Sequence, residues 1–515
     1  NQADLTEADL LAPAAEDPHT RVLTLYLEGI NQGRRFVEQA TQVTRQKPVL
    51  ALKVGRSASG QRAVASHTGA LAGQEAAYDA AFRRAGVIRA ETSEEMFDWA
   101  RALAWCPLPQ GRHMAVLTNA GGPGAVAADA LEAHHLPLAD LSPTTCAELA
   151  ELLPPAASLR NPVDMLASAS PEQYAGSLRA LLADPGVSGV LVILPPPPMY
   201  SAESVAEAML PVIQAARKPV VVALMGEVLI RRAAERLRQA RVPDYRFPER
   251  AASALAVLVQ RAEALARPRE MPLVLADVQP ERVPPLLAGA PPGGWLDPAA
   301  AGRLLAAYGL PAPELALAQT AAEAADLAGQ LGYPVALKIA SPDLPHKSDV
   351  GGVVLGLEDR LAVAGAFSAL VERVRASHAQ ARVVGAHVQR MVPPGQDVIV
   401  GAIQDPQFGP LVMFGSGGVE AEGLKDVAFA LAPLTRAEAE AMLERTWAGR
   451  KLRGYRGLPP ADREAVLDAL LRLAQLAAEV PELAEIEINP LRALAPGEGI
   501  VAVDVRLRRL GHPAP

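Results

Sequence analysis

Short apolar runs alternate with longer amphipathic stretches along most of the chain. Residues 22–27 form an apolar run, followed by a helical pattern over 32–45 and a second run at 49–54. Runs at 114–118, 187–194 and 219–224 repeat the pattern, with a helical stretch at 201–216 between the last two. Strands buried on both faces of a parallel sheet read as unbroken Val/Ile/Leu runs. Strand–helix alternation predicts such sheets covered by helices. Pro and Gly clusters mark boundaries: CPLPQGR at 106–112, then RPREMP, RVPPLL and APPGGW between 267 and 294. They divide the chain into a domain over 1–108, a second over 109–266, a Pro-rich linker at 267–294 and a third domain over 295–515. The third has a different texture. Helices are expected at 297–308 and 320–331, with Gly332 as C-cap. A strand follows at 335–339, then a glycine loop at 349–352 and strands at 353–357 and 398–403. No solenoid-type repeat is present.

The length of 515 residues fits several domains, and half of the residues are apolar, so each can bury a core. Aromatics make up only 4%, which leaves Ala and Leu to fill those cores. A net charge of −8 argues against nucleic acid or an anionic membrane as the main partner. No apolar run reaches the roughly 18 residues of a membrane span. The two cysteines, Cys106 and Cys146, have no metal-type spacing and fit a reducing cytoplasm. The chain opens on Asn1 in a polar stretch without a signal-peptide pattern, which is read as a truncated N-terminus. Of the 49 basic residues, arginine outnumbers lysine 42 to 7, and Lys338, Lys347 and Lys425 all fall inside glycine-rich motifs. Either codon bias explains this, or those lysines do what a guanidinium cannot.

Five clusters carry candidate chemistry. His67 sits in Ala65-Ser66-His67-Thr68-Gly69, directly after a Gly/Ser/Arg-rich loop. A neutral imidazole is a good nucleophile near neutral pH, and small neighbours let a phosphoryl group approach. The alternative is an ordinary Gly-rich turn. Glu28 ends the first apolar run, where a carboxylate either holds one imidazole nitrogen or faces solvent. Thr118-Asn119-Ala120-Gly121-Gly122-Pro123-Gly124 follows a strand and opens a helix, so it is a tight turn or an anion site. It is not a Walker A motif. Lys338 lies in an apolar strand, with His346-Lys347 and the Gly351-Gly352 loop shortly after it, an arrangement suited to nucleotide phosphates. Glu485, Glu487 and Asn489 alternate on one strand face, and Asp504 is expected on another strand at 500–505. Hard oxygens from adjacent strands suit Mg²⁺, and also describe a solvated strand face.

These stretches, taken in order, resemble the NDP-forming acyl-CoA synthetase family, typified by ADP-forming acetyl-CoA synthetase and related to succinyl-CoA synthetase. They are LYLEGI (25–30), KVGRSASGQRAVASHTGALAG (53–73), TNAGGPGAVAADALE (118–132), NPVDM (161–165), GYPVALKIASPDLPHKSDVGGV (332–353), DPQFGPLVMFGSGGV (405–419), GYRGLPP (454–460) and EIEINPL (485–491). The resemblance implies an α/β chain: two flavodoxin-like, doubly wound parallel-sheet domains followed by an ATP-grasp module. It implies an acid–thiol ligase that interconverts acyl-CoA, ADP and phosphate with carboxylic acid, CoA and ATP. His67 matches the phosphorylated histidine and Glu28 its partner. His346 matches a second relay histidine of some members. Ser66, Thr68, Gly121, Gly122 and Gly124 match phosphate-binding positions. Lys338, Lys347, Gly351, Gly352, Gln389 and Asp397 match the nucleotide site, and Asn489 and Asp504 the Mg²⁺ ligands.

Two positions depart from the family pattern: Gly395-Gln396-Asp397 replaces Gly-x-Glu, and Glu487-Ile-Asn-Pro replaces Asp-Ile-Asn-Pro. Each moves a carboxylate by about one methylene. The family's N-terminal CoA-binding domain has no counterpart in these residues, so this is a fragment or that domain is supplied in trans. The expected partners are a small carboxylic acid, CoA and further copies of the chain. A rival implication is a non-catalytic regulatory scaffold related to protein acyltransferases, in which the histidine is lost; here His67 is intact.

Overall fold

The structure is a computed structural model that describes residues 4–55, 75–344, 350–418 and 426–511. The chain divides into two compact units: Asn1–Glu75 with Phe82–Arg269, and Glu270–Pro515 with Ala76–Ala81.

The first unit holds two parallel sheets. Strands β1 (Leu23–Leu27), β2 (Val49–Lys53) and β3 (Ile88–Ala90) pair in that order, all parallel. Every residue of β2 is buried, which is why its sequence shows no alternation. The second sheet contains β4 (Met114–Thr118), β5 (Val163–Asp164), β6 (Gly189–Leu194), β7 (Val220–Leu224) and β8 (Asp244–Tyr245), in the order β5-β4-β6-β7-β8. Its strands feed two cores. Met114, Val116, Leu191 and Ile193 face one; Ala115, Leu117, Val190 and Val192 face the other. Two-sided burial follows from the period of two along a strand.

The two sheets share one unit because helix Pro248–Ala266 serves both. Its Val257 joins the core of the first sheet, while Leu255 and Leu258 join that of the second. Arg261 donates to the Thr44 carbonyl, and Trp99 Nε1 donates to Ser253 Oγ at 2.9 Å.

Asn161 performs the work of a missing strand. Its Oδ1 accepts from the Val116 N–H at 2.9 Å, and its Nδ2 donates to the carbonyls of Met114 at 2.8 Å and Ala139 at 3.1 Å. On this side β4 pairs with β5 only at Leu117 and Thr118. The side chain therefore satisfies buried backbone groups that would otherwise lack partners.

The second unit is built on antiparallel sheets. Strands β9 (Leu315–Ala318), β10 (Val335–Ala340), β11 (Val353–Leu357) and β12 (Gly385–Arg390) form one, in the order β11-β10-β12-β9. Strands β13 (Gln396–Asp405), β14 (Gly409–Ser416), β15 (Val427–Leu431), β16 (Leu483–Ala493) and β17 (Ile500–Ala502) form the other, with β18 (Val505–Arg509) also on β16. Helix Arg463–Glu479 fills the core of the larger sheet.

Two expectations are corrected here. The stretch expected as a linker packs into the second unit from residue 270 onward. Val283, Leu287 and Ala290 are buried in its core, and Gln475 brackets Leu275, accepting from its N–H at 2.8 Å and donating to its carbonyl at 3.2 Å. Its prolines do not prevent a short helix, Val283–Ala288, because Pro284 and Pro285 occupy the first turn, where the missing N–H costs nothing. Asp504 lies on no strand. It falls in the break between β17 and β18, where the Asn489 N–H donates to its carbonyl at 3.1 Å and the Val503 N–H donates to Pro490 at 3.0 Å. No described helix is long and apolar enough to cross a membrane.

Candidate functional site

In the first unit the candidate groups gather at the carboxyl ends of parallel strands, where open α/β sheets bind ligands. Glu28 directly follows β1 and is half-buried. Lys53 closes β2 in register with Leu27 and is only 2% exposed. Its Nζ donates to the Val54 carbonyl at 2.5 Å. Burial pushes the Lys53 ammonium below its ordinary pKa; Glu75 opposes this, Arg89 adds to it, and Glu28 opposes it. Arg89 is itself ion-paired with Glu75 at 2.5 Å. Sequence reasoning gave Lys53 no role. The signal was present: a lysine ends an apolar strand in a lysine-poor chain, as at Lys338. His67, Ser66 and Thr68 lie outside the described residues.

The second sheet offers a helix N-terminus. Helix Gly121–Ala133 starts two residues after Asn119, leaving its first N–H groups without intrahelical partners. The glycines there divide by reason. A Cβ at Gly121 would meet Asp164 Oδ2 at 3.2 Å, and one at Gly124 would meet Thr118 Cγ2 at 3.2 Å, so packing accounts for both. A Cβ at Gly122 would meet nothing within 4 Å, so protein packing does not call for a glycine and access from outside does. Beside this turn Asn119 is 4% exposed, and its Oδ1 has no hydrogen-bond partner among the described residues. A buried orphan acceptor at a helix mouth points to a bound group.

In the second unit the site is a cavity of about 320 Å³. Lys338, in the middle of β10, is 8% exposed and donates to the Val503 carbonyl at 2.9 Å. The Asp504 carboxylate lies 4.0 Å from its Nζ. His387 faces Lys338 in register on β12, and Gln389 follows two residues on, so both line the same wall. The Gln389 carboxamide is 2% exposed, and its Oε1 has no partner among the described residues. The residues expected from sequence for a nucleotide and its counter-ion, Lys338, Gln389 and Asp504, are therefore brought together. His387 was not singled out from sequence, since one histidine in an apolar strand gives no pattern. A larger depression of about 570 Å³ over helix Arg360–Ser377 is shallow and carries none of these residues.

Asn489 sits beside Asp504. Its Oδ1 accepts from the Gly418 N–H at 2.9 Å, which orients the carboxamide. Among the described residues no group of three or more His, Cys, Asp or Glu forms a metal cluster. One carboxylate and one carboxamide still fit Mg²⁺, which commonly takes few protein ligands and completes its octahedron with phosphate and water. Arg506 lies 3.8 Å from Asp504 and 3.9 Å from Glu487, so the carboxylates here are balanced by cations. Asp397 is placed differently. Arg492 grips it through two hydrogen bonds, at 2.8 and 3.0 Å, as a cross-strand pair, and it does not line the cavity. The Asp397 carboxylate holds the Arg492 guanidinium above its ordinary pKa. Gly351 has φ 63°, a conformation glycine adopts readily, and Gly352 accepts from the Ile339 N–H at 2.8 Å. His346 and Lys347 lie outside the described residues.

Comparison with known proteins gives three matches in chain order. A succinyl-CoA ligase like flavodoxin domain matches residues 1–103, a ligase-CoA domain 114–267, and an ATP-grasp domain 288–508. The chain is 40% identical over 502 residues to acetate–CoA ligase [ADP-forming] I of Archaeoglobus fulgidus, covering 97% of this chain and 72% of that protein. It is 34% identical over 522 residues to 4-hydroxybutyrate–CoA ligase [ADP-forming] of Nitrosopumilus maritimus, covering 98% of this chain and 73% of the other. A solved structure of a Ca. Korarchaeum cryptofilum dinucleotide forming acetyl-coenzyme A synthetase, in complex with phosphate and ADP, is 35% identical. It covers 51% of this chain and 57% of that one, with a TM-score of 0.49.

Proposed function

Because the chain belongs to the ADP-forming acyl-CoA synthetase family, we propose that it interconverts acyl-CoA, ADP and phosphate with a carboxylic acid, CoA and ATP through an acyl phosphate and a phosphorylated His67. The observation that carries this reading is the cavity that collects Lys338, Gln389 and Asp504 in the ATP-grasp unit. Lys338 neutralises nucleotide phosphate charge from a dry wall, where a cation acts more strongly than in water. Gln389 offers a desolvated acceptor to a donor on the ligand. Asn489 and Asp504 would hold Mg²⁺, which supplies charge neutralisation between phosphate oxygens when bound.

In the first unit, phosphate attacks the thioester carbonyl of acyl-CoA. The carbon–sulfur bond breaks, CoA leaves as thiol, and an acyl phosphate remains. The N-terminus of helix Gly121–Ala133, with Gly122 open to approach, supplies N–H donors to that phosphate. His67 then attacks phosphorus, and the carboxylate leaves with the bonding electrons. Glu28 holds the other ring nitrogen and stabilises the imidazolium charge as it develops. ADP takes the phosphoryl group from His67 at the nucleotide site. Positioning and charge neutralisation suffice for both transfers.

Isotope exchange between labelled ADP and ATP, without acid or CoA, tests the nucleotide half directly. Exchange that requires Mg²⁺ and disappears in His67→Ala is the expected result. Exchange that persists in that variant would show that no phosphohistidine lies on the path.

A further inference from the structure

The motif GYRGLPP at 454–460 has no part in the chemistry described so far. Its backbone is unusual. Gly454 has φ 92°, Gly457 has φ 84°, and between them Arg456, a bulky residue, is held at φ 38°. An L-residue with a long side chain adopts that region at a cost, and such strain persists only where the surroundings enforce it.

The enforcement is visible. Tyr455 and Leu458 exchange two backbone hydrogen bonds, at 3.0 and 2.8 Å, which close the turn. Gln396 Nε2 donates to the Pro459 carbonyl at 2.7 Å. The Tyr455 ring meets Trp447 edge-on, with centroids 4.8 Å apart. Trp447 is fixed in turn, because its N–H and that of Ala448 both donate to the Asp426 carboxylate at 2.8 Å. Ser416 Oγ donates to the same carboxylate at 3.0 Å.

These anchors tie the turn to the nucleotide end of the larger sheet. Ser416 ends β14, two residues before Gly418, whose N–H orients Asn489. Gln396 adjoins Asp397, and a Cβ on Gly418 would lie 3.7 Å from Asp397 Oδ2.

The Arg456 guanidinium lies 5.4 Å over the Tyr455 ring and is exposed. Neighbouring arginines are used differently: Arg453 and Arg463 both pair with Glu444. Among the described residues no hydrogen bond or ion pair is found for Arg456. A planar cation stacked on an aromatic platform, with its N–H donors unspent, is built to receive an oxyanion.

We propose that the strained, aromatic-backed turn at 454–459 presents Arg456 to the phosphoryl group transferred at the nucleotide site, as an additional anion-binding residue. The proposal rests on the phosphoryl-transfer reading above. Running from ATP, the bond from the γ-phosphorus to the bridging oxygen breaks, and its electron pair leaves on ADP. The phosphorus–nitrogen bond to His67 forms. Arg456 gives up no proton and forms no covalent bond; its donors stabilise the negative charge on the peripheral oxygens.

The test compares Mg-ADP with Mg-AMPPNP, a non-transferable analogue that carries the third phosphate, by calorimetry on wild type and Arg456→Gln. Loss of one charge-assisted contact is expected to weaken Mg-AMPPNP about tenfold. Mg-ADP affinity should stay unchanged. Arg456→Lys should recover part of the loss, and Tyr455→Phe, which keeps the platform, should bind as wild type. Equal affinity of wild type and Arg456→Gln for Mg-AMPPNP would overturn the proposal, as would equal weakening of both nucleotides. Labelling of His67 from Mg-ATP, measured alongside, judges the underlying reading separately: an unlabelled wild type refutes the phosphohistidine, while the nucleotide comparison still decides Arg456.

Discussion

Replacing Lys338 with Met separates the binding role of that residue from its structural one. Methionine has nearly the same length and volume, so the wall of β10 stays filled. The direct structural loss is the 2.9 Å hydrogen bond to the Val503 carbonyl, which amounts to about 1 kcal/mol. Asp504 loses a cation at 4.0 Å but keeps Arg506 at 3.8 Å, so its carboxylate is not stranded. Folding stability should therefore fall by about 1–2 kcal/mol at most. The nucleotide loses more. A hydrogen bond from a buried ammonium to phosphate contributes about 1.5–3 kcal/mol, which corresponds to roughly 10- to 150-fold in dissociation constant. Calorimetric titration with Mg-ADP and urea unfolding of the same preparations measure the two effects. A dissociation constant within threefold of wild type would refute a phosphate contact by Lys338. Loss of binding together with a collapse of stability would show instead that the lysine is part of the core.

Three further outcomes are expected. Asn161→Ala should destabilise the first unit by about 3 kcal/mol in urea unfolding, since the Val116 N–H and the Ala139 carbonyl lose a partner in a dry interior; a loss below about 1 kcal/mol would contradict that role. Asp504→Asn should weaken Mg-nucleotide binding and suppress labelling of His67 from ATP, while labelling from acyl-CoA and phosphate suffers less; equal loss from both directions would make Asp504 structural. Burial pushes the Cys106 thiol up to about 12, so its unionised form is favoured in the folded state. That contribution to stability is complete below the unfolded value near 9 and fades as pH rises from there toward 12. At pH 8 alkylation of Cys106 should follow unfolding, and rapid native labelling would contradict its burial.

The apolar runs made most strands legible. The stretch read at 114–118 is β4, and that read at 353–357 is β11, because strands buried on both faces carry their own boundaries. Lys338, Gln389, Asn489 and Asp504 were all named from sequence, and the structure brings Lys338, Gln389 and Asp504 into one cavity with Asn489 beside Asp504. What could not be read depended on contacts distant in sequence. Residues 500–505 look like one strand, but the hydrogen bonds from Asn489 and Val503 belong to a break that places Asp504 at its turn. The prolines at 284 and 285 suggest a loop, yet the core that Val283 and Leu287 enter lies more than a hundred residues away. Asp397 resembles a nucleotide contact until the register reveals Arg492 opposite it. Asn161 reads as part of a turn, and only the missing strand beside Met114 and Val116 explains its side chain.

The central claim is that His67 carries the phosphoryl group between the two chemistries. Incubation with γ-labelled Mg-ATP, followed by acid and base treatment of the denatured protein, tests it most directly. The label should be acid-labile and base-stable, should vanish in His67→Ala at unchanged thermal stability, and should fall but persist in Glu28→Gln. A His67→Ala protein that takes up label as wild type does would contradict the account.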